Sequence, residues 1–324
     1  MTFTENALNI LTLKSFKGVG RAWIIKNIKG NERVEVLVSL LNNCSKENHE
    51  ITVSYFERKR EQIKTTVLKL DGFADGLVAL GDSEFPPHRG NVKFSEQPIL
   101  LFYRGDLSLL KPDNKNIAVI GLLNPDGNIK GIEQEVVAKL VAKGATIVSG
   151  LALGCDTIAH EQAVRSNGKT IAILPGPLNN IMPASNKELA NDIVRFAGLL
   201  ISEYSNEAKS KMELGGRYQE RDRLQALYSD SIILTASYTK NNLGNDSGSR
   251  HAMEYAKKYA IPRAVIYNAT IDENNPQFEL NRQLMEEQKD IYVIEPSNII
   301  SDIKKILDYN SRYTHQQYIQ KRLF

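Results

Sequence analysis

The chain has 324 residues, 42% of them hydrophobic and 24% charged, with a net charge of +3. That length exceeds one ordinary core, so a large domain with a smaller appendage is expected, and the ordinary balance of apolar and charged residues excludes a disordered chain. So mild a basic excess neither demands nor excludes a nucleic-acid partner.

Cys44 and Cys155 lie far apart, with no CxxC or Cys/His metal spacing. A reduced protein without structural zinc is therefore expected, with both thiols as small packing residues. The start, Met-Thr-Phe-Thr-Glu-Asn, does not read as a signal peptide, and no apolar run approaches a membrane span. The expectation is cytoplasmic, with no metal and no cofactor.

In chain order, Leu8 to Leu80 reads as helical, and residues 1–80 are expected to form a small module. Within it, Phe16-Lys17-Gly18-Val19-Gly20 is similar to the turn of a helix-hairpin-helix or SAM-like module. In a DNA-binding version Gly18 and Gly20 expose backbone N–H groups to a phosphate, with Lys17 and Arg21 adding charge; otherwise the turn serves a protein-interaction domain. Asn42 to Gln62 is polar and reads as a loop and a solvated helix face. Gly81 to Pro87 breaks the helical pattern and opens a second domain, expected over residues 81–310. Gln97 to Gly105 is an extended apolar run.

From Asn116 onward, short apolar strands alternate with amphipathic helices. Strands are predicted at Ile117–Ile120, Ala145–Val148, Thr170–Leu174, Leu199–Ser202, Ser231–Thr235, Arg263–Tyr267 and Asp290–Ile294, with a last helix from Asn298 to Leu307. Such alternation implies an α/β fold: a Rossmann-like, mostly parallel sheet with helices on both faces, whose ligands gather at the carboxyl ends of the strands. Residues 311–324 form a short basic tail.

Four strand-to-helix connections carry the chemistry. In the first, Ser149 to His160, Gly150 and Gly154 allow close backbone approach and the following helix start is a natural anion site. Asp156 and His160, four apart, form either an acid/base couple or a local device that fixes the helix start. The second runs from Pro175 to Lys187 and is stiffened by Pro and Gly. In the third, Arg217, Arg221 and Arg223 either grip phosphate or pair internally with Glu220 and Asp222. The fourth carries Ser247, Gly248, Ser249 and Arg250, whose hydroxyls and amides can hold an anion. No Walker loop, zinc helix or nucleophile elbow is present, so no catalytic residue is assigned.

Taken together, these motifs resemble the DNA-processing protein A (DprA/Smf) family, whose sheet domain belongs to the Rossmann-like SLOG group. Ser149-Gly150-Leu151-Ala152-Leu153-Gly154-Cys155-Asp156 with Ala159-His160 is similar to the family signature. Ser202-Glu203, Arg221-Asp222-Arg223 and Ser247-Gly248-Ser249 follow in the family's order. The resemblance implies a non-enzymatic single-stranded DNA-binding protein, commonly dimeric, that hands DNA to the RecA recombinase in natural transformation. It also implies phosphate contacts from the four loops, including Lys187. Two departures stand out. Gly121-Leu122-Leu123 replaces the family's Gly-Ser-Arg, and Asp222 replaces the Asn of Arg-Asn-Arg. The alternative is a SLOG-type sensor or enzyme that binds a nucleotide-derived small molecule.

Overall fold

In the computed structural model, which describes residues 1–44, 46–240 and 248–308, ten strands join in one sheet. They are β1 (Thr2–Phe3), β2 (Gly76–Ala79), β3 (Leu100–Gly105), β4 (Asn116–Ile120), β5 (Thr146–Ser149), β6 (Thr170–Leu174), β7 (Leu199–Ser202), β8 (Ser231–Leu234), β9 (Arg263–Ile266) and β10 (Ile291–Ile294). Their order is β1-β2-β3-β7-β6-β5-β4-β8-β9-β10. From β7 to β10 every neighbouring pair is parallel, whereas β3 runs antiparallel to both β7 and β2. The α/β, mostly parallel architecture read from the sequence is the one observed.

The central strands read as unbroken apolar runs because both of their faces are covered. Alternation along β4 shows this directly. Ile117 and Val119 join Val136, Val137 and Leu140 of α5 (Gly127–Ala142) and Ala159 and Ala163 of α6 (Cys155–Arg165) on one face. Residues 299–308, also helical, extend that layer through Ile299, Ile303 and Ile306. Ala118 and Ile120 face the opposite layer, built from α8 (Lys211–Leu227), α9 (Ser249–Lys258) and α10 (Glu279–Glu287). No helix among the described residues is long and apolar enough to cross a membrane.

The amino-terminal segment folds as α1 (Glu5–Lys14), α2 (Arg21–Asn27), α3 (Val34–Asn42) and α4 (Val53–Leu68). Thr4 and Thr52 cap α1 and α4 by accepting from the N–H groups of Ala7 and Tyr55. The expected end of this module at residue 80 falls just after β2, which pairs with β3 beyond it. Leu13, Ile24, Leu37 and Phe56 share one apolar cluster with Leu77, Phe102 and Leu200 of the sheet and with Ala190 and Ile193 of α7 (Lys187–Arg195). The helices therefore bury their apolar faces on the sheet itself. The polar stretch read as loop and solvated face contains the first part of α4, whose Phe56 is fully buried.

Candidate nucleic-acid interface

Chain order reverses at β4: β5, β6 and β7 are added on one side of it, and β8, β9 and β10 on the other. Loops leaving the carboxyl ends of β4 and β8 therefore part in opposite directions and leave a crevice, the usual ligand position in such sheets. Three connections converge there on Gly121. The Ser149 hydroxyl donates to the Val119 carbonyl at 2.7 Å, tying the end of β5 to β4. The Ser249 hydroxyl donates to the Gly121 carbonyl at 2.8 Å, fixing the start of α9. The Cys155 N–H donates to the Leu122 carbonyl at 2.9 Å, fixing the start of α6. Gly154, at φ +73° and ψ −126°, makes the last bond possible, because a Cβ there would overlap the carbonyl oxygens of Leu122 and Leu123. The loop after β6 is held in place by Asn186, whose amide donates to the Leu151 carbonyl at 2.9 Å and to Thr157 Oγ1 at 2.8 Å.

Arg221 lies buried beneath this crevice, 7% exposed, between two carboxylates. Its Nη1 is 3.4 Å from Asp156 Oδ2 and its Nε is 3.4 Å from Asp222 Oδ1. Asp156 is held by the N–H groups of Gly150 (3.1 Å) and Ala152 (3.3 Å), so it organises the glycine loop and does not pair with His160. Gly150 is required because a Cβ would overlap the Arg221 guanidinium. Gln225 completes the floor, its amide oxygen accepting from Gly150 N–H at 3.1 Å and from Arg221 Nη1 at 3.0 Å. Burial pushes the Asp222 carboxyl up to about 7; Arg221 opposes this and Asp156 reinforces it.

His160 is fully buried, and its Nδ1 lies 2.6 Å from Thr170 Oγ1. The Thr170 hydroxyl already donates to the Ile147 carbonyl, so Nδ1 carries the proton and Nε2 is the bare nitrogen. Burial, with Arg221 nearby, holds the imidazole down to about 3. The unfolded chain protonates this His below about pH 6.5 while the folded chain does not, so stability falls as pH drops from about 6.5 towards 3. Between pH 7 and pH 5 the wild type should therefore lose about 2 kcal/mol relative to His160→Gln in urea unfolding. Parallel behaviour of the two proteins would refute this placement of the proton.

The remaining arginines also sit in internal ion pairs. Arg217, 5% exposed, pairs with Glu213 at 2.6 Å, donates to the carbonyls of Asn206 and Glu207, and lies 4.1 Å from the Tyr204 ring centre. Arg223, 1% exposed, meets Glu203 at 2.6 Å and Glu220 at 3.3 Å and donates to the Glu96 carbonyl. Arg21 of α2 joins the same cluster, 3.0 Å from Glu203 and 2.8 Å from Glu220. Burial alone would push the Glu203 carboxyl up, yet Arg223, Arg21 and Lys14 together hold it below the usual range. In this structure the three arginines are paired internally: Arg217 with Glu213, Arg221 with Asp156 and Asp222, and Arg223 with Glu203 and Glu220.

At the amino-terminal turn, Gly18 at φ +90° and Gly20 before α2 make the expected chain reversal. The neighbouring Lys17 N–H is taken by Glu47 at 3.1 Å. Of the basic residues singled out in the sequence, Lys17 and, at the start of α7, Lys187 have exposed side chains. Arg250 of α9 pairs with Glu254 at 2.7 Å. Gly248 precedes α9, and Ser247 lies outside the described residues. Among the described residues, no group of three or more His, Cys, Asp and Glu side chains could hold a metal ion.

Sequence reasoning gave Glu96 and Glu133 no role. Glu133, fully buried on α5, is pushed well above the usual carboxylate range by burial, with Cys155 and Thr235 beside it. Glu133 occupies a core position of α5, a placement that residue type alone argues against.

A family model described as DNA recombination-mediator protein A matches residues 76–304, more than half of the chain. DNA processing protein DprA of Bacillus subtilis is 29% identical over 168 residues, 52% of this chain and 54% of that relative, so the match spans about half of the relative's length. The structure of DNA processing protein A from Streptococcus pneumoniae aligns over 93% of this chain and 98% of its own at a TM-score of 0.67 and 22% identity, a likeness of fold. A structure of DNA processing protein A from Helicobacter pylori, described for its single-stranded DNA binding mode, covers 69% of this chain and 98% of its own, with a TM-score of 0.54 and 27% identity. With the signature loops assembled in one crevice and the family model matching across the sheet, the chain belongs to the DNA recombination-mediator protein A family.

Proposed function

We propose that this protein binds single-stranded DNA in the crevice between β4 and β8 and passes it to a RecA-type recombinase during DNA uptake, without carrying out a reaction on the strand. The observation that carries the reading is the closure of the signature loops on Gly121 at the point where strand order reverses. There the amino ends of α6 and α9 meet, and the Ser149 and Ser249 hydroxyls are spent on holding the loops. Backbone amides at those helix starts are suited to phosphate. The Helicobacter pylori relative, described for its single-stranded DNA binding mode, supports the choice of ligand. A cytoplasmic homodimer is the form we propose for the working protein.

Because Arg217, Arg221 and Arg223 are buried in ion pairs, substituting them would disturb the fold, and exposed Lys17 and Lys187 are the cleaner probes of DNA contact. Titration of a labelled dT20 oligonucleotide at several salt concentrations should give affinity that falls steeply with salt. Lys187→Ala and Lys17→Ala should each weaken binding and lower the salt slope by about 0.7. Absence of binding at low salt, or wild-type slopes in both variants, would sink the reading. Leu123, exposed where the family carries arginine, favours a second reading in which the ligand is a mononucleotide. Displacement of dT20 by low concentrations of free nucleotide would support that alternative.

A further inference from the structure

We propose that Asp222 makes anion binding in this crevice proton-linked: the site takes up a phosphodiester together with one proton, which Asp222 carries. The proposal rests on the reading of the crevice as a DNA site and adds how that site is controlled. Its basis is a charge imbalance in the geometry. One guanidinium, Arg221, lies 3.4 Å from each of two carboxylates, and all three side chains are at least nine-tenths buried. With both carboxylates ionised the group carries one net negative charge directly beneath the crevice, which opposes a phosphate. With one protonated it is neutral.

The structure assigns that proton to Asp222. Asp156 accepts two backbone N–H groups from the glycine loop. Asp222 has Arg221 as its counter-charge among the described residues, and its Oδ2 would lie 3.1 Å from a Cβ placed on Gly248. That position brings it beside the amino end of α9, which has no side-chain cap, so an incoming phosphate would compete with the ionised Asp222 carboxylate for the same backbone amides. Among the described residues, the groups facing it are Arg221 on its own helix, Asp156 on α6, and Tyr255 together with the first turn of α9. Behind them, Asp156 acts on Glu133 and Arg221 acts on His160. Burial reinforced by Asp156 raises Asp222 to about 7, within the range a cell visits. An Asn at this place, as in the family's Arg-Asn-Arg, has no charge to lose.

The test is dT20 affinity at pH 6, 7, 8 and 9 at constant ionic strength, for wild type and Asp222→Asn. The wild type should weaken towards about ten-fold per pH unit above the Asp222 midpoint, and calorimetry in buffers of different ionisation enthalpy should report uptake of close to one proton at pH 8. Asp222→Asn, which preserves shape, should bind at pH 8 as tightly as the wild type at pH 6, with a flat profile and no proton uptake. A flat wild-type profile, or equal slopes in both proteins, overturns the proposal. If neither protein binds dT20 at any pH, the DNA reading fails and sulfate, whose charge is constant over this range, becomes the probe. Its effect on melting temperature, compared with chloride at matched ionic strength, should be larger at pH 6 than at pH 8 in the wild type and equal at both in Asp222→Asn. Identical sulfate responses in the two proteins overturn the linkage.

Discussion

Glu203→Gln is expected to destabilise the protein by about 3–5 kcal/mol at pH 7, the usual cost of removing one partner from a buried ion cluster. Glu203 stands just past β7 and receives Arg223 at 2.6 Å and Arg21 at 3.0 Å, with half-buried Lys14 close enough to act on it. Glutamine keeps the shape and one acceptor, but leaves those cations facing Glu220, whose side chain is 37% exposed. The pH dependence follows from the depressed Glu203 carboxyl. The stability it contributes is fully present above the unfolded value of about 4.3 and is lost as pH falls through the lower folded value. The difference between variant and wild type should thus be full at pH 7 and narrow below about pH 4. Lys14 and Arg21 come from the amino-terminal helices, so amides of α2 should also exchange faster in the variant. Urea unfolding at both pH values with hydrogen exchange checks this; a loss below about 1 kcal/mol would mean that the cluster contributes little.

That cluster marks the limit of what the sequence made legible. Ile117–Ile120, Thr170–Leu174 and Leu199–Ser202 could be read as strands because burial on both faces leaves an unbroken apolar run. Gly150 and Gly154 could be singled out because only glycine allows what the loop does, and the structure supplies the reason in Arg221 and in the Leu122 and Leu123 carbonyls. The arginines could not be assigned in the same way. Arg223 and Glu203 are 20 residues apart, Arg21 and Glu203 are 182 apart, and only the assembled fold makes them partners. β2 was equally hidden. Gly76–Ala79 is four residues long and follows a helical stretch, so its pairing with β3 depends on contacts that no local pattern reports. The same holds for Glu47, which takes the Lys17 amide across 30 residues.

Gly154→Ala should be the most damaging single-methyl change in the crevice, with an expected loss of roughly 3–5 kcal/mol, and should abolish dT20 binding at temperatures where the variant remains folded. Two effects add. The backbone at φ +73° and ψ −126° is a conformation that alanine adopts only with strain of about 1–3 kcal/mol. The new methyl also meets the carbonyl oxygens of Leu122 and Leu123, which are backbone atoms and cannot rotate away. Relief requires the β4 loop and the start of α6 to part, which breaks the Cys155 N–H bond to Leu122 at 2.9 Å and opens the point where the connections converge. Gly176→Ala is the matched control. It sits in the neighbouring loop after β6, and a Cβ there meets nothing within 4 Å. Its stability should stay within about 0.5 kcal/mol of the wild type. Thermal unfolding of the three proteins, followed by oligonucleotide titration well below each midpoint, separates loss of fold from loss of the site. Full dT20 affinity in folded Gly154→Ala would place the DNA elsewhere, because the crevice cannot keep its shape once α6 has moved away from Leu122.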